Sequence, residues 1–210
     1  MNYKKTTIAT TFLISIILMC ISCNSNETVV SKDDYRGVVL YPSDIRSLGA
    51  DKLIDILNES NINLLGIHTN TLTEDLDSLK EYLVSPDGKL LIDLCEENKI
   101  DIEYECHVLQ EILPRTLFDN HPEYFRVDSS ENRTNDLNMC FSSDEAWLVI
   151  EENVIELLEW IKPTTNRYFF WIDDSYDGFC NCDECKSLSP SDQALMYENR
   201  MLTIIRNVNT

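Results

Sequence analysis

Apolar residues fall into two kinds of block along this chain: short continuous runs, and longer stretches in which they recur every three or four positions. Runs at 37–41 (Gly-Val-Val-Leu-Tyr), 62–68, 100–107 and 168–173 predict four strands of the continuous apolar kind that parallel sheets use. Between them, 48–60 has helical spacing, with Leu53, Ile56 and Leu57 on one face. Thr71 with Glu74 forms a capping box that opens a helix near Leu72, and 89–98 supplies another after the Ser-Pro-Asp-Gly break at 85–88. Ser142 with Glu145 opens the strongest helix, running to about Ile161 with Leu148, Ile155 and Leu158 among its apolar positions, and Ser191 or Asp192 starts a last one. The stretch 108–141 has no such period, and a connection of that length in a compact domain is usually a lid or binding loop.

Strands alternating with helices predict an α/β fold with a parallel sheet, because each return to a parallel strand needs a crossover. Two architectures fit: an open doubly wound sheet, or a partial (β/α)8 TIM-type barrel of about four βα units. A complete barrel takes about 250 residues, so the barrel reading makes 36–210 its N-terminal part.

The first residues do not belong to that pattern. Lys4 and Lys5 precede an apolar run at 12–19, then Cys20-Ile21-Ser22-Cys23 and a polar stretch, which reads as an export signal over 1–22 and a tether over 23–35. The run is short of the roughly 20 residues of a membrane-spanning helix. Ser22 before Cys23 resembles the cleavage box of bacterial lipoproteins, which implies acylation of Cys23 and a membrane-anchored protein at the cell surface or periplasmic face. Cys20 is atypical in such a box, and plain secretion is the alternative. Removing 22 of 210 residues leaves 188, enough for one domain with a sizeable core. With 17 basic against 37 acidic residues the net charge is −20, which excludes nucleic acid as partner and is compatible with neutral sugars. Five glycines, none in a phosphate-binding loop, argue against nucleotide cofactors.

The chemically richest segment is 169–185, where an apolar strand runs into Asp173-Asp174 and then into Cys180, Cys182 and Cys185. Strand ends that project acids into a cleft are where parallel α/β enzymes keep their chemistry. Glycoside hydrolysis needs one carboxyl to protonate the leaving oxygen and a second group to assist, so this pair is the candidate catalytic set. Neighbouring side chains on a regular strand point to opposite faces, so both acids reach one pocket only if the strand has already bent, as Ser-Tyr-Asp-Gly at 175–178 allows. The bland alternative makes Asp174 and Asp177 turn caps. Tyr41, His68 and His107 occupy equivalent strand ends and, with Asp177, are the candidate substrate-binding residues, whereas Trp171, inside an apolar run, reads as core. Three thiols within six residues, joined by Cys140, suit a structural zinc ion, with a disulfide from Cys140 to one of them as the rival reading. No cofactor is expected for catalysis. Oligomeric state cannot be read from the chain.

The order His121-Pro122-Glu123-Tyr124-Phe125, Asn138-Met139-Cys140-Phe141-Ser142, a long helix, an Asp-rich strand end and Cys180-x-Cys182-x-x-Cys185 resembles an uncharacterised bacterial glycoside-hydrolase-like family, a domain of unknown function whose members are similar to alpha-glucuronidases in their (β/α) barrel. The Asp173-Asp174 pair also resembles the acidic pair of bacterial beta-N-acetylglucosaminidases. That likeness implies Asp173 as the polarising residue and Asp174 as the general acid. Together the resemblances imply an exported glycan-cleaving lipoprotein, with a non-catalytic glycan-binding lipoprotein or an inactive truncated barrel as the alternatives.

Overall fold

The alternation of strands and helices is present in the computed structural model, which describes residues 35–69, 75–173 and 175–208. The expected export signal, Cys23, the Thr71/Glu74 capping box and Asp174 lie outside the described residues. The strands are β1 (Gly37–Leu40), β2 (Leu64–Thr69), β3 (Asp101–His107) and β4 (Phe169–Trp171). They form one parallel sheet in the order β1-β2-β3-β4. A doubly wound sheet reverses its order at a switch point, and no reversal occurs among the described strands.

The helices are α1 (Pro42–Leu48), α2 (Ala50–Glu59), α3 (Leu76–Val84), α4 (Pro86–Asn98), the single turn α5 (Leu109–Ile112), α6 (Asp144–Trp160) and α7 (Pro190–Val208). Among the described residues none is long and apolar enough to cross a membrane. Several boundaries differ from the sequence expectation for identifiable reasons. The helix expected over 48–60 is α2, and it is preceded by a short helix that was not expected, α1, which ends at Gly49, whose φ of +80° suits glycine. The Ser-Pro-Asp-Gly segment both breaks one helix and starts the next, at Pro86 and not at Lys89: Ser85 ends α3, its hydroxyl accepts from the Gly88 N–H, and Pro86 occupies the first turn of α4. A side chain at Gly88 would lie 2.1 Å from the Tyr82 carbonyl oxygen, so this α3–α4 corner demands glycine. Helix α6 is capped by Ser143 and not Ser142, and it buries Trp147, Ile150, Val154, Leu157 and Leu158 while Leu148 and Ile155 are exposed.

The stretch 108–141 is less irregular than expected. After α5 come 3-10 turns at Arg115–Asp119 and Pro122–Tyr124, and then the chain folds back on itself through antiparallel bridges pairing Phe125 with Met139 and Val127 with Arg133. Phe125 and Met139 are fully buried. The 121–125 and 138–142 motifs, separated in sequence, are therefore the two sides of one packed excursion, joined again where the Cys140 N–H donates to the Tyr124 carbonyl.

Register divides the sheet into two unlike faces. Leu65, Ile67, Ile102, Tyr104, Cys106 and Phe170 share the first, each at most 4% exposed, and join Ile45, Leu53, Leu57, Leu79, Leu91 and Leu157 from the helices in one core. Each such aliphatic side chain contributes about 1.5–3 kcal/mol by leaving water. The opposite parity carries Val39, Gly66, His68, Glu103, Glu105, His107, Phe169 and Trp171. Val39 is 49% exposed, and His68, His107 and Trp171 are half-buried. The helices thus cover the apolar face and leave the chemistry on the other.

Candidate functional site at the carboxyl edge of the sheet

Four side chains from four strands meet where the strands end. Tyr41 directly follows β1, His68 is the penultimate residue of β2, and His107 and Trp171 close β3 and β4. Ring centroids are 5.0 Å apart for Tyr41 and His68, 5.8 Å for His68 and His107, 5.7 Å for His68 and Trp171, and 5.3 Å for His107 and Trp171. Trp171, expected in the core, instead forms one wall of this cluster, because the parity of a three-residue strand puts Phe170 inward and its neighbours outward.

The two histidines are oriented by the same device. His68 Nδ1 lies 2.7 Å from the Glu105 carbonyl oxygen and His107 Nδ1 3.0 Å from that of Ile172, so each ring reaches the main chain of the following strand segment. A carbonyl only accepts, which places the proton on Nδ1 and leaves Nε2 of each neutral ring as an acceptor.

Glu105 shares their face and was not among the expected site residues, although its place in the Glu103, Glu105, His107 alternation is the signal that finds it. A methyl group on Gly66 would come within 2.9 Å of its Oε1, so the carboxyl lies across the glycine. Burial raises its pKa above the usual carboxylate range, with His68 pulling it down and Glu103 adding to the rise. Glu103 itself is buried and committed to Arg167 and to the Thr165 hydroxyl.

Asp173 sits just beyond, in a different setting. Its N–H donates to Asn138 Oδ1 at 2.8 Å while its carbonyl accepts from Asn138 Nδ2 at 3.2 Å, a two-point clamp on one residue's main chain. Its Oδ1 accepts from Gln110 Nε2 at 2.9 Å, and its Oδ2 lies 3.8 Å from Arg115 Nη2, buried and without a hydrogen bond. Arg115 donates from Nη2 to the Leu137 carbonyl, and its Nε and Nη1 are buried without hydrogen bonds. Burial brings the Arg115 pKa down to about 10, opposed by Asp173 and Asp136. Asp177 is exposed and lines a separate cavity of about 470 Å³ with Ser129, Tyr176 and Phe179, while its carbonyl accepts from Arg126. The structure therefore brings Tyr41, His68 and His107 together, places Asp173 two residues past Trp171 in a buried polar array, and puts Asp177 on a neighbouring turn.

Behind that turn the four cysteines converge. Cys140, Cys180, Cys182 and Cys185 are all buried, all free thiols, and their sulfurs lie within 4.8 Å of one another, a set able to hold a metal ion. Cys140 and Cys182 are 3.6 Å apart, against about 2.05 Å in a disulfide. Hydrogen bonds from Cys180 and Cys185 pull the Cys140 thiol far below its ordinary pKa, while the same contacts push Cys180 up. By contrast Cys95 and Cys106 stand apart in the main core, each raised to about 12 with burial the leading cause. Gln193, itself buried, repeats the amide clamp here: its Oε1 accepts from the Cys180 N–H at 2.9 Å, and its Nε2 donates to the Cys180 carbonyl at 3.0 Å.

No curated protein matches the chain. The family model described as a domain of unknown function, DUF4838, matches residues 49–210, which take in β2, β3, β4, the 121–142 excursion and all four clustered cysteines, and the chain belongs to that family.

Proposed function

We propose that this protein is an exported lipoprotein whose domain is built as part of a (β/α) barrel and cleaves glycosidic bonds in glycans at or outside the cell surface. The observation that carries the reading is the convergence of Tyr41, His68, His107 and Trp171 at the carboxyl ends of four successive parallel strands. Sequential parallel strand order is what a barrel requires, and polar and aromatic side chains at the carboxyl ends of its strands are where such a fold places a site. Aromatic walls and ring acceptors suit a sugar, whose apolar faces stack and whose hydroxyls donate.

In this mechanism Asp174 protonates the glycosidic oxygen as its bond to the anomeric carbon breaks. Asp173 stabilises the positive charge that develops on the sugar, and water then adds to the anomeric carbon, its proton returning to the Asp174 carboxylate. Tyr41, His68, His107 and Asp177 bind hydroxyls. The zinc expected at the cysteine cluster takes no part in these steps.

The test is product release from a panel of neutral polysaccharides by the full chain. Asp174→Asn is expected to lower turnover by at least about a hundredfold with the fold retained. Unchanged turnover in that variant overturns the acid assignment. Glycan binding without products from the unaltered protein favours a non-catalytic glycan-binding lipoprotein, for which the engagement of the Asp173 carboxylate by Gln110 is the supporting observation.

A further inference from the structure

We propose that Cys140, Cys180, Cys182 and Cys185 bind one zinc ion as four thiolates, and that this ion buckles the 126–140 excursion to the turn after β4, away from the sheet edge. The proposal stands whether or not the protein cleaves glycans.

Four sulfurs around one zinc, each at about 2.3 Å from it, sit about 3.8 Å from one another. The four thiols already lie within 4.8 Å, with one pair at 3.6 Å, so a small contraction closes the tetrahedron. An iron–sulfur cluster interposes irons and sulfides between its cysteines and needs a wider cage. The site is also closed, since every ligand is buried and all four positions are taken by sulfur, which is the pattern of a structural ion.

The surroundings fit a metal thiolate. Zinc with four thiolates keeps a net negative charge, and the structure provides donors for it. The Val127 N–H points to Cys180 at 3.4 Å, and the Ser142 hydroxyl lies 3.3 Å from Cys140 and 3.4 Å from Cys185. The Arg133 guanidinium is held by the Glu123 and Phe125 carbonyls, on the segment bridged to Val127, and so brings a positive charge to the same excursion. The Cys182 carbonyl accepts from the Cys185 and Lys186 N–H groups, shaping the tight knuckle that presents Cys182 and Cys185 together.

Two connections explain what the ion does. Arg126, one residue before Val127, donates bidentately to Asp136 and also to the Asp177 carbonyl, so the excursion and the turn already touch. Cys140 lies two residues from Asn138, whose amide holds Asp173. Binding releases the thiol protons to solvent and changes no oxidation state.

The experiment is elemental analysis of the full chain purified without added metal. It is followed by cobalt exchange of the same protein and alkylation mapping of its cysteines. One zinc per chain, tetrahedral thiolate bands on cobalt substitution, and protection of these four cysteines but not of an unfolded control support the proposal. Cys182→Ser is expected to lower zinc retention at least tenfold, whereas Cys95→Ala retains it. Folded protein with no metal, iron in place of zinc, or disulfides among the four overturns it, and each of those results comes from the unaltered chain.

Discussion

The ring cluster at the sheet edge and the thiol cluster behind the turn are each assembled from distant parts of the chain, yet they are finished differently. The thiols themselves are sealed: four buried sulfurs, a buried amide holding Cys180 at both its N–H and carbonyl, and a main-chain donor directed at sulfur. At the ring cluster the main chain satisfies one nitrogen of each histidine and the rings remain half-buried, with Tyr41 37% exposed. Sealing suits a part that holds shape, and a half-open face suits a part that meets a ligand. Damage to the first should therefore appear as lost stability and damage to the second as lost binding.

The largest expected effect tests the sealed side. Gln193→Ala removes three hydrogen bonds and leaves the buried main chain of Cys180 unpaired, so a loss of about 3 kcal/mol is expected in urea unfolding. A loss below about 1 kcal/mol would mean that the loop is less closed than its contacts indicate. Next, Asn138→Ala should cost about 2 kcal/mol and release Asp173, so glycan turnover or binding should fall alongside the denaturation midpoint. Asn138 stands between the two regions, so its loss should move both readouts.

Gly66→Ala probes the open face. The added methyl meets the Glu105 carboxylate at 2.9 Å and Val39 at 3.1 Å. Because both are side chains that can shift, about 1 kcal/mol is expected, with a larger change in ligand affinity. His68→Ala should cost less than about 1 kcal/mol in stability while weakening glycan binding at least tenfold by titration calorimetry. A stability loss as large as that of Gln193→Ala would erase the contrast.

A further effect, confined to high pH, lies outside both regions and calibrates them. The Glu111 carboxylate accepts from the Leu76 N–H at the start of α3, and burial pushes it up to about 7, with Asp75 and Asp77 adding to the rise. A carboxyl with a raised folded pKa gives its full stabilisation below the unfolded value, near 4.3, and loses it as pH rises through about 7. Glu111→Gln keeps an acceptor without the charge. It should match the unaltered protein near pH 4 and exceed it by about 1 kcal/mol near pH 8, a figure reduced for the group's partial exposure.

Strand and helix identity is legible in the sequence because burial imposes a period on it, as the four apolar runs and Leu53 with Leu57 show. The strand-end residues Tyr41, His68 and His107 are legible for the same reason. Boundaries are less so: the short helix before Gly49 carries too few residues to show a period, and Ser85-Pro86 reads as a break without showing that Ser85 caps both the helix it ends and the one it starts. Leu148 and Ile155 mislead because α6 has more apolar residues than one face can bury. The amide clamps were not legible at all, since Asn138 lies 35 residues from Asp173 and an isolated asparagine or glutamine carries no periodic signal. Glu105 was half legible: its parity with His107 is visible, its closeness to Gly66 is not.

Both amide clamps share a property that bears on any proton chemistry nearby. Carboxamides do not ionise across the range in which proteins stay folded, and main-chain groups do not either. Asp173 is thus fastened to the excursion by a joint that is indifferent to acidity. A change of pH therefore leaves both loops fastened at the same main-chain groups.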